Sequence, residues 1–340
     1  MNRENYAAAK KLIAASKRIL VSGHLSPDGD SLGSMLALAR LLRNAGYEAY
    51  ATADLNALGK PGFLEGVKDL IPVRKLKRQK RFDLFIAVDC ASFERMPPEV
   101  RPVAEKLPKI CIDHHVTNDG SFADVSIVDS KASSTGEIIW RIARWNEWNL
   151  ETAIAEALWV AIVTDSGRFA YDSTNPGTMR AAGDLLKHGV RTALINDILY
   201  GTFPKKAIEL KRIAWRSLHI WKNRKVAEVT LTRDDFREVR GTKADAEDII
   251  EIPRSVARNE IALFFYQIPD RTKETRCSIR TRGNWDATVL AGKFGGGGHV
   301  KAAGCTIKAS MGAAKRQMRA AVRELLKSVN RKTAKIALSD

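Results

Sequence analysis

Carboxylates and histidines are concentrated in a few short stretches of the sequence, and together they suit metal-dependent chemistry at phosphorus. The candidates are His24, Asp28, Asp30, Asp89, Asp113, His114, His115 and Asp165. Several carboxylates packed together repel one another, so such a cluster must be protonated, dispersed or neutralised by cations. Two divalent metal ions about 3.5–4 Å apart would neutralise it, and such a pair can activate water and stabilise an in-line displacement at phosphorus.

The spacing of Asp28 and Asp30 fits two ions. In extended or turning backbone, these side chains point to similar sides but are far enough apart to bind different metals. Gly29 and Gly33 supply the permissive backbone that such a loop needs. Mixed carboxylate and imidazole ligation suits manganese, whereas an all-oxygen site would indicate magnesium and thiolates would indicate zinc. The sequence therefore predicts two divalent metal ions, with manganese as the best match.

The cysteines are not assigned to this site. Cys90, Cys111, Cys277 and Cys305 are far apart in the sequence and form no Cys-x-x-Cys pair. We expect buried, reduced thiols, because a free cysteine behaves as a small hydrophobic residue.

Each stretch also has a structural interpretation. His24 before a helix can be a cap or loop residue, Asp89 after a strand is a common turn-former, and Asp165 can end a helix. Asp113 with two histidines can form a hydrogen-bonded turn. The occurrence of all of them at element ends favours the functional interpretation.

The elements that must position these residues alternate between strand and helix. The pattern predicts strands over 18–22, 83–88 and 109–112, and helices over 31–46, 134–145, 152–164 and 176–187. Short apolar strands separated by helices imply a parallel sheet covered on both faces, the doubly wound α/β class. Ligands of such sheets bind outside the carboxyl ends of the strands, where the candidates occur.

The charge distribution indicates a second, smaller α/β domain. The 340 residues carry 56 Lys and Arg against 39 Asp and Glu, a net charge of +17. Residues 1–200 hold 26 basic and 24 acidic side chains, whereas residues 201–340 hold 30 and 15. We expect a catalytic, metal-binding domain over 1–195, a connecting helix over 196–213, a substrate-binding domain over 214–330 and a frayed tail over 331–340. For the second domain we predict strands over 226–231, 261–268 and 275–281, and helices over 244–257, 285–293 and 313–327.

The basic excess calls for an anionic partner. The longest apolar runs fall short of the ~18 residues of a membrane span, and the amino terminus lacks the apolar stretch of a secretory signal. We therefore predict a cytoplasmic protein without membrane association. The basic run at 74–81 is interpreted as a solvated loop.

A glycine run in the C-terminal part could bind phosphate. Four glycines over 295–298, followed by His299, let backbone N–H groups approach a phosphate or ribose, and a helix starting after them would favour negative charge. A bare glycine run can equally be a flexible linker. On the neighbouring predicted strand, alternation puts Ser278, Arg280 and Arg282 on one face.

With these residues, the chain resembles the DHH family of phosphoesterases, named for the motif Asp113-His114-His115. The stretch 294–304 resembles the glycine-rich signature of the DHH-associated domain. The resemblance implies a first metal ion held by His24, Asp28 and Asp89. It implies a second held by Asp30, Asp89, His114 and Asp165. It also implies that His115 faces the scissile phosphate as a donor or acid, while Asp113 orients a neighbouring histidine.

The resemblance also implies which residues bind the substrate. It implies that an arginine, Arg280, pairs with a terminal phosphate, although this residue could also be an exposed edge-strand arginine. The implied substrate-binding set is Ser278, Arg280, Gly296, Gly297, Gly298 and His299.

Within the family, the chain is similar to the nanoRNase and pAp-phosphatase type. The implied activity is a metal-dependent phosphodiesterase that degrades very short RNA to mononucleotides and removes phosphate from 3′-phosphoadenosine 5′-phosphate (pAp). A homodimer is compatible with this assignment. The alternatives are a phosphodiesterase for linear or cyclic dinucleotides and a single-strand-specific exonuclease. An alternative of another class is a nucleic-acid-binding module without turnover.

Overall fold

The chain was analysed as a computed structural model, which describes residues 3–79, 81–223, 225–267 and 274–336. The side chains of Glu247, His299 and residues 328–336 lie outside the described part. Two compact units divide between Thr202 and Phe203, inside the segment 196–213 that is predicted to connect two domains. Among the described residues, every helix is too short or too polar to cross a membrane.

The first unit is built on a six-stranded parallel sheet. Its strands are β1 (Arg18–Ser22), β2 (Glu48–Ala53), β3 (Ile71–Pro72), β4 (Leu84–Val88), β5 (Lys109–Asp113) and β6 (Val125–Val128). The order is β3-β2-β1-β4-β5-β6, and all neighbours are parallel. The order reverses between β1 and β4, which is the switch point where ligands of such sheets bind. The predicted doubly wound α/β class is confirmed.

Helices surround this sheet. They are α1 (Arg3–Ala14), α2 (Gly29–Asn44), α3 (Arg101–Ala104), α4 (Thr135–Trp145), α5 (Thr152–Asp165), α6 (Pro176–Leu186) and α7 (Thr192–Asn196). Helix α2 begins earlier than the predicted residue 31, because Asp28 Oδ1 accepts a hydrogen bond from Ser31 N and caps the helix. Helix α5 is buried continuously from Ile154 to Val163, so its apolar run belongs to the core.

The connecting helix predicted over 196–213 is wrong as a single element. Helix α7 ends at Asn196, a π-helical turn covers Asp197–Gly201, and α8 (Lys205–Arg216) begins after Pro204. Proline lacks the N–H that an interior helical position requires, and it restricts the preceding residue to extended backbone. One helix therefore cannot run through this segment.

The second unit contains a mixed sheet. After α8 come β7 (His219–Trp221), β8 (Val226–Leu231), α9 (Arg233–Glu238), α10 (Glu251–Arg254), β9 (Ile261–Tyr266), β10 (Thr275–Thr281), α11 (Ala287–Gly292), β11 (Gly297–His299), β12 (Ala302–Ile307) and α12 (Met311–Ile336). The sheet order is β11-β12-β10-β9-β8-β7, with only β8 and β9 parallel among these pairs. Two apolar clusters cover the sheet, which gives the second unit its own core.

Some predicted boundaries in the second unit differ from the structure. The helix predicted over 244–257 is a 3₁₀ stretch, Ala244–Ile250, followed by the short α10. Helix α12 continues to Ile336, so the part of the predicted frayed tail up to that residue is helical. Residues 337–340 of that tail, like residue 268 of a predicted strand, lie outside the described residues.

Helices α2 and α5, which both carry candidate ligands at the carboxyl edge of the first sheet, pack closely against each other. A Cβ atom on Gly33 would lie 2.3 Å from the backbone oxygen of Ala157, a distance that real Cβ contacts do not show. Backbone atoms cannot move aside as a flexible side chain would. The glycine is therefore required by helix contact.

We predict that Gly33→Ala lowers the free energy of unfolding by about 1–3 kcal/mol, because overpacking must push α2 and α5 apart. The matched control is Gly183→Ala in α6, where an added Cβ meets nothing within 4 Å. This control should stabilise the protein by up to about 1 kcal/mol, since alanine favours helix over glycine. Chemical denaturation measures both. Equal effects of the two substitutions would contradict the packing argument.

Glu228 on β8 is a buried anion in the second unit, with 0% exposure. Its carboxylate accepts a hydrogen bond from Arg319 Nε at 2.9 Å and lies 3.0 Å from Lys315 Nζ. Burial alone would raise the pKa of Glu228, but these hydrogen bonds and charges lower it below its usual value. The ionised form is therefore favoured by folding.

We predict that Glu228→Gln lowers the free energy of unfolding at pH 7 by about 1.5–3 kcal/mol, because charge-assisted hydrogen bonds are lost. The contribution of Glu228 is complete above the pKa of an unfolded glutamate, about 4.3, and is lost as the pH falls from there through the lower folded pKa. Denaturation at several pH values should show the wild type and variant converging in acid. Glu251→Gln, which removes an exposed pair with Arg254, should cost less than about 1 kcal/mol.

Candidate metal centre

The predicted metal ligands lie at the carboxyl edge of the first sheet. They belong to the β1–α2 loop, the first turn of α2, the ends of β4 and β5, and the last residue of α5: His24, Asp28, Asp30, Asp89, Asp113, His114, His115 and Asp165. Parallel strands end at the same edge, which is why residues far apart in sequence converge here. The structure brings all of these residues together.

One group of potential ligands is formed by His24, Asp28 and Asp89, whose ligand atoms lie within 4.8 Å of one another. His24 Nε2 is 3.5 Å from Asp89 Oδ2 and 3.9 Å from Asp28 Oδ2. The Asp28 side chain is 59% exposed, whereas that of His24 is 11% exposed and that of Asp89 is buried. This group is therefore open to solvent on the Asp28 side.

A second group is formed by Asp30, His114 and Asp165, again with ligand atoms within 4.8 Å of one another. His114 Nε2 is 3.2 Å from Asp165 Oδ2 and 3.7 Å from Asp30 Oδ2. It is also 3.7 Å from Asp89 Oδ1. Because the other Asp89 oxygen faces His24, this carboxylate lies between the two groups.

The backbone at Asp89 has an uncommon conformation. Its φ is +51°, in the left-handed region, and its N–H donates to the backbone oxygen of Ile112 at 3.0 Å. Aspartate tolerates this region better than most residues. The turn ends β4 abruptly and leaves the side chain at the sheet edge.

The negative charge of these carboxylates is only partly neutralised by positive groups of the protein. Burial and repulsion from Asp89 raise the pKa of Asp30 and Asp165 well above the usual range. In Asp89, burial is outweighed by the hydrogen bond from His24 and the charges of the neighbouring histidines, which lower its pKa to about 2. A site that penalises its own ionised carboxylates in this way fits cations. The residues present therefore suit divalent metal binding, with both oxygen and imidazole donors.

Asp113 does not join either group but organises the histidine that follows. Its Oδ1 accepts from the backbone N–H of His114 at 2.8 Å and from His115 Nδ1 at 2.7 Å. Its Oδ2 accepts from Asn118 Nδ2 at 2.6 Å. Burial lowers the pKa of His115, but the hydrogen bond and charge of Asp113 more than offset this, so the pKa lies above its usual value.

Sequence reasoning missed residues that support Asp30. The backbone N–H groups of Thr135 and Gly136, at the start of α4, donate to its two carboxylate oxygens at 2.7 and 2.9 Å. A helix N-terminus favours a carboxylate, so α4 stabilises and orients Asp30. Asn118 was missed as well. Its position shortly after the Asp113-His114-His115 motif was a usable signal, whereas the start of α4 offered none.

The predicted substrate-binding residues belong to the second unit. Ser278 and Arg280 are half-buried on the same face of β10, as alternation predicts. The glycine run continues into β11, which pairs with β12, so a strand and not a helix follows the first glycines. The alternating burial of β12 explains this, because its inward side chains complete the sheet core.

Close packing explains why two positions of the glycine run must be glycine. A Cβ on Gly296 would lie 2.3 Å from the Gly304 oxygen, and one on Gly298 would lie 2.4 Å from the Ala302 oxygen. Gly297 meets nothing within 4 Å, so packing does not require it. His299 ends β11, and its side chain lies outside the described residues.

Comparison with known proteins agrees with this arrangement. Residues 18–162 match the N-terminal domain of the DHH family, and residues 234–332 match the DHHA1 domain. The bifunctional oligoribonuclease and PAP phosphatase NrnA of Thermus thermophilus is 32% identical over 88% of this chain and 87% of its own length. The chain belongs to the DHH family. Its relative NrnA of Bacillus subtilis is 27% identical over 87% of this chain and 91% of that protein.

Solved structures of this fold include an exopolyphosphatase-related protein from Bacteroides fragilis. It superimposes with a TM-score of 0.88 at 23% identity, covering 95% of this DHH-family chain and 96% of that one. RecJ of Thermus thermophilus, solved with Mn²⁺, gives a TM-score of 0.50 at 14% identity over 95% of this chain and 54% of RecJ. At these identities the likeness concerns the fold alone.

We predict that Asp165→Asn does not destabilise the metal-free protein, because it removes a carboxylate whose ionised form the site disfavours. The same substitution should weaken stabilisation by manganese, which for the wild type amounts to about 2.7 kcal/mol at 100 times the dissociation constant. Thermal unfolding with chelator and with manganese measures both effects. The control is Asp172→Asn, an exposed aspartate outside both ligand groups. Identical manganese responses of the two variants would contradict the assignment.

Proposed function

We propose that this chain is a metal-dependent phosphodiesterase that degrades very short RNA oligonucleotides to mononucleotides and also removes phosphate from pAp. The observation that carries the proposal is Asp89, whose two oxygens face two separate ligand groups. The relatives named as bifunctional oligoribonuclease and PAP phosphatase support the choice of substrate.

We assign two divalent ions, with manganese as the best match to the mixed oxygen and imidazole donors. The ligands of the first would be His24, Asp28 and Asp89. Those of the second would be Asp30, Asp89, His114 and Asp165. Bound there, such a pair supplies a nucleophile at neutral pH and neutralises charge on the phosphoryl group.

His115 is assigned to the leaving oxygen. Its Nδ1–H is held by Asp113, and we assign Nε2 to the exchange of a proton with the substrate. The raised pKa of His115 favours the protonated ring, so the residue can donate a proton to the departing oxygen. Asn118 would keep Asp113 in place through its hydrogen bond to Oδ2.

The second unit is assigned to substrate binding. Arg280 and Ser278 lie on one face of β10, and Gly296, Gly297, Gly298 and His299 lie in or beside β11. We propose that they hold a terminal phosphate or nucleotide. The excess of 30 basic over 15 acidic residues in 201–340 supports an anionic ligand for this unit.

A second candidate substrate is a linear or cyclic dinucleotide. The cyclic-di-AMP phosphodiesterase GdpP of Geobacillus thermodenitrificans is 24% identical over 93% of this chain, although the match covers 49% of GdpP. A single-strand-specific exonuclease and a binding module without turnover remain as alternatives, and the complete ligand set argues against the binding module. The cytoplasmic location and the homodimer stay predictions.

The deciding experiment is a time course on end-labelled RNA from dinucleotide to 24-mer, with manganese or with chelator. We expect turnover to fall steeply with length and to vanish in chelator. Asp89→Ala should reduce turnover by at least about 100-fold, since it removes the ligand shared by both groups. Asp172→Ala, an exposed aspartate outside the ligand groups, should remain active.

Equal rates on all lengths, or full activity in chelator, would contradict the proposal. Comparing kcat/KM for pAp, a linear dinucleotide and a cyclic dinucleotide then identifies the preferred substrate. Binding of RNA without metal-dependent turnover would favour the binding module instead.

A further inference from the structure

We propose that Arg95 binds the scissile phosphate of the substrate, an inference that rests on the function proposed above. Arg95 ends the 3₁₀ turn Phe93–Arg95, which follows Asp89 after a short connection. Neither composition nor a motif identified it, because a single arginine after a strand is unremarkable in sequence.

The backbone around Arg95 is tied to both loops that carry the site histidines. The Arg95 oxygen accepts a hydrogen bond from Leu25 N, next to His24, at 2.8 Å. On the other side, Asn118 donates to the Cys90 oxygen at 3.3 Å, in the same connection. The turn that carries Arg95 therefore lies at the rim of the centre, between the His24 loop and the His115 loop.

Arg95 carries a positive charge close to the centre. Its guanidinium group is near enough to interact electrostatically with Cys90 and His115. The side chain itself is exposed, and no described carboxylate forms an ion pair with it. An arginine at the rim of the centre that pairs with no described carboxylate is available to an anionic ligand.

Phosphate is the anion that this position fits. A guanidinium group presents parallel N–H donors that match two phosphate oxygens. Arg95 lies within electrostatic range of His115, the residue assigned to the leaving oxygen, whereas Arg280 in the other unit is assigned to a terminal phosphate. Arg95 is therefore matched to a non-bridging oxygen of the phosphate that reacts.

The test compares Arg95→Ala and Arg95→Lys with Lys106→Ala, which removes another exposed cation from the same β4–β5 connection. The substrates are pAp and bis(p-nitrophenyl) phosphate, a diester without a terminal phosphate. We expect Arg95→Ala to lower kcat/KM by about 10–100-fold on both, with a smaller loss for Arg95→Lys. Lys106→Ala should match the wild type.

Two further measurements separate a phosphate contact from a structural role. Guanidinium ion should restore part of the activity of Arg95→Ala and should not accelerate Lys106→Ala. Inorganic phosphate should bind the manganese-loaded Arg95→Ala protein more weakly by a similar factor in isothermal titration calorimetry.

Several outcomes would overturn the inference. They are an unchanged kcat/KM, a loss confined to pAp, a loss without guanidinium rescue, and a reduced manganese content of Arg95→Ala. If the wild type hydrolyses neither substrate, the proposed function fails with it. If the wild type is active and Arg95→Ala is equally active, only the role of Arg95 fails.

Discussion

Mutual repulsion among buried carboxylates is the constraint on which the rest of the first unit depends. Asp30 and Asp89 are almost completely buried, and Asp165 joins them from the end of α5. Such a cluster is costly for the folded chain unless positive charge compensates it. The three nearby histidines compensate Asp89 in particular, as its lowered pKa shows, while Asp30 and Asp165 remain strained as anions. The fold thus holds buried negative charge that the protein itself does not neutralise, and divalent cations can neutralise it.

The surrounding structure holds the carboxylates and histidines of the centre in one geometry. Helix α4 directs its first backbone N–H groups at Asp30, and Asn118 fixes Asp113, which in turn fixes His115. These supports come from backbone amides and a short side chain, which move little. Asp30 and His115 are thus held in place by the protein itself, an arrangement that would suit electrostatic catalysis.

Charge is divided between the two units in a way that suits the proposed function. The first unit has nearly balanced charge, whereas the second carries most of the basic excess. Under the proposed function, metal binding and anion binding would belong to different units, each with its own core. Arg95 would place a positive charge at the rim of the carboxylate cluster, where it could bind the reacting phosphate.

The sequence by itself determined the α/β class, most of the strands that end at the site and the set of candidate ligands. These properties are local: apolar runs define strands, and polar residues that follow them must lie at the sheet edge. The alanine-rich β2 and the short β3 lacked such a signal, and Pro204 was overlooked in the connecting segment. Only the tertiary structure decided that α4 supports Asp30, a contact between residues 105 positions apart. It also decided that Arg95 lies between two histidine loops, because such contacts arise from chain crossings that no short stretch of sequence encodes.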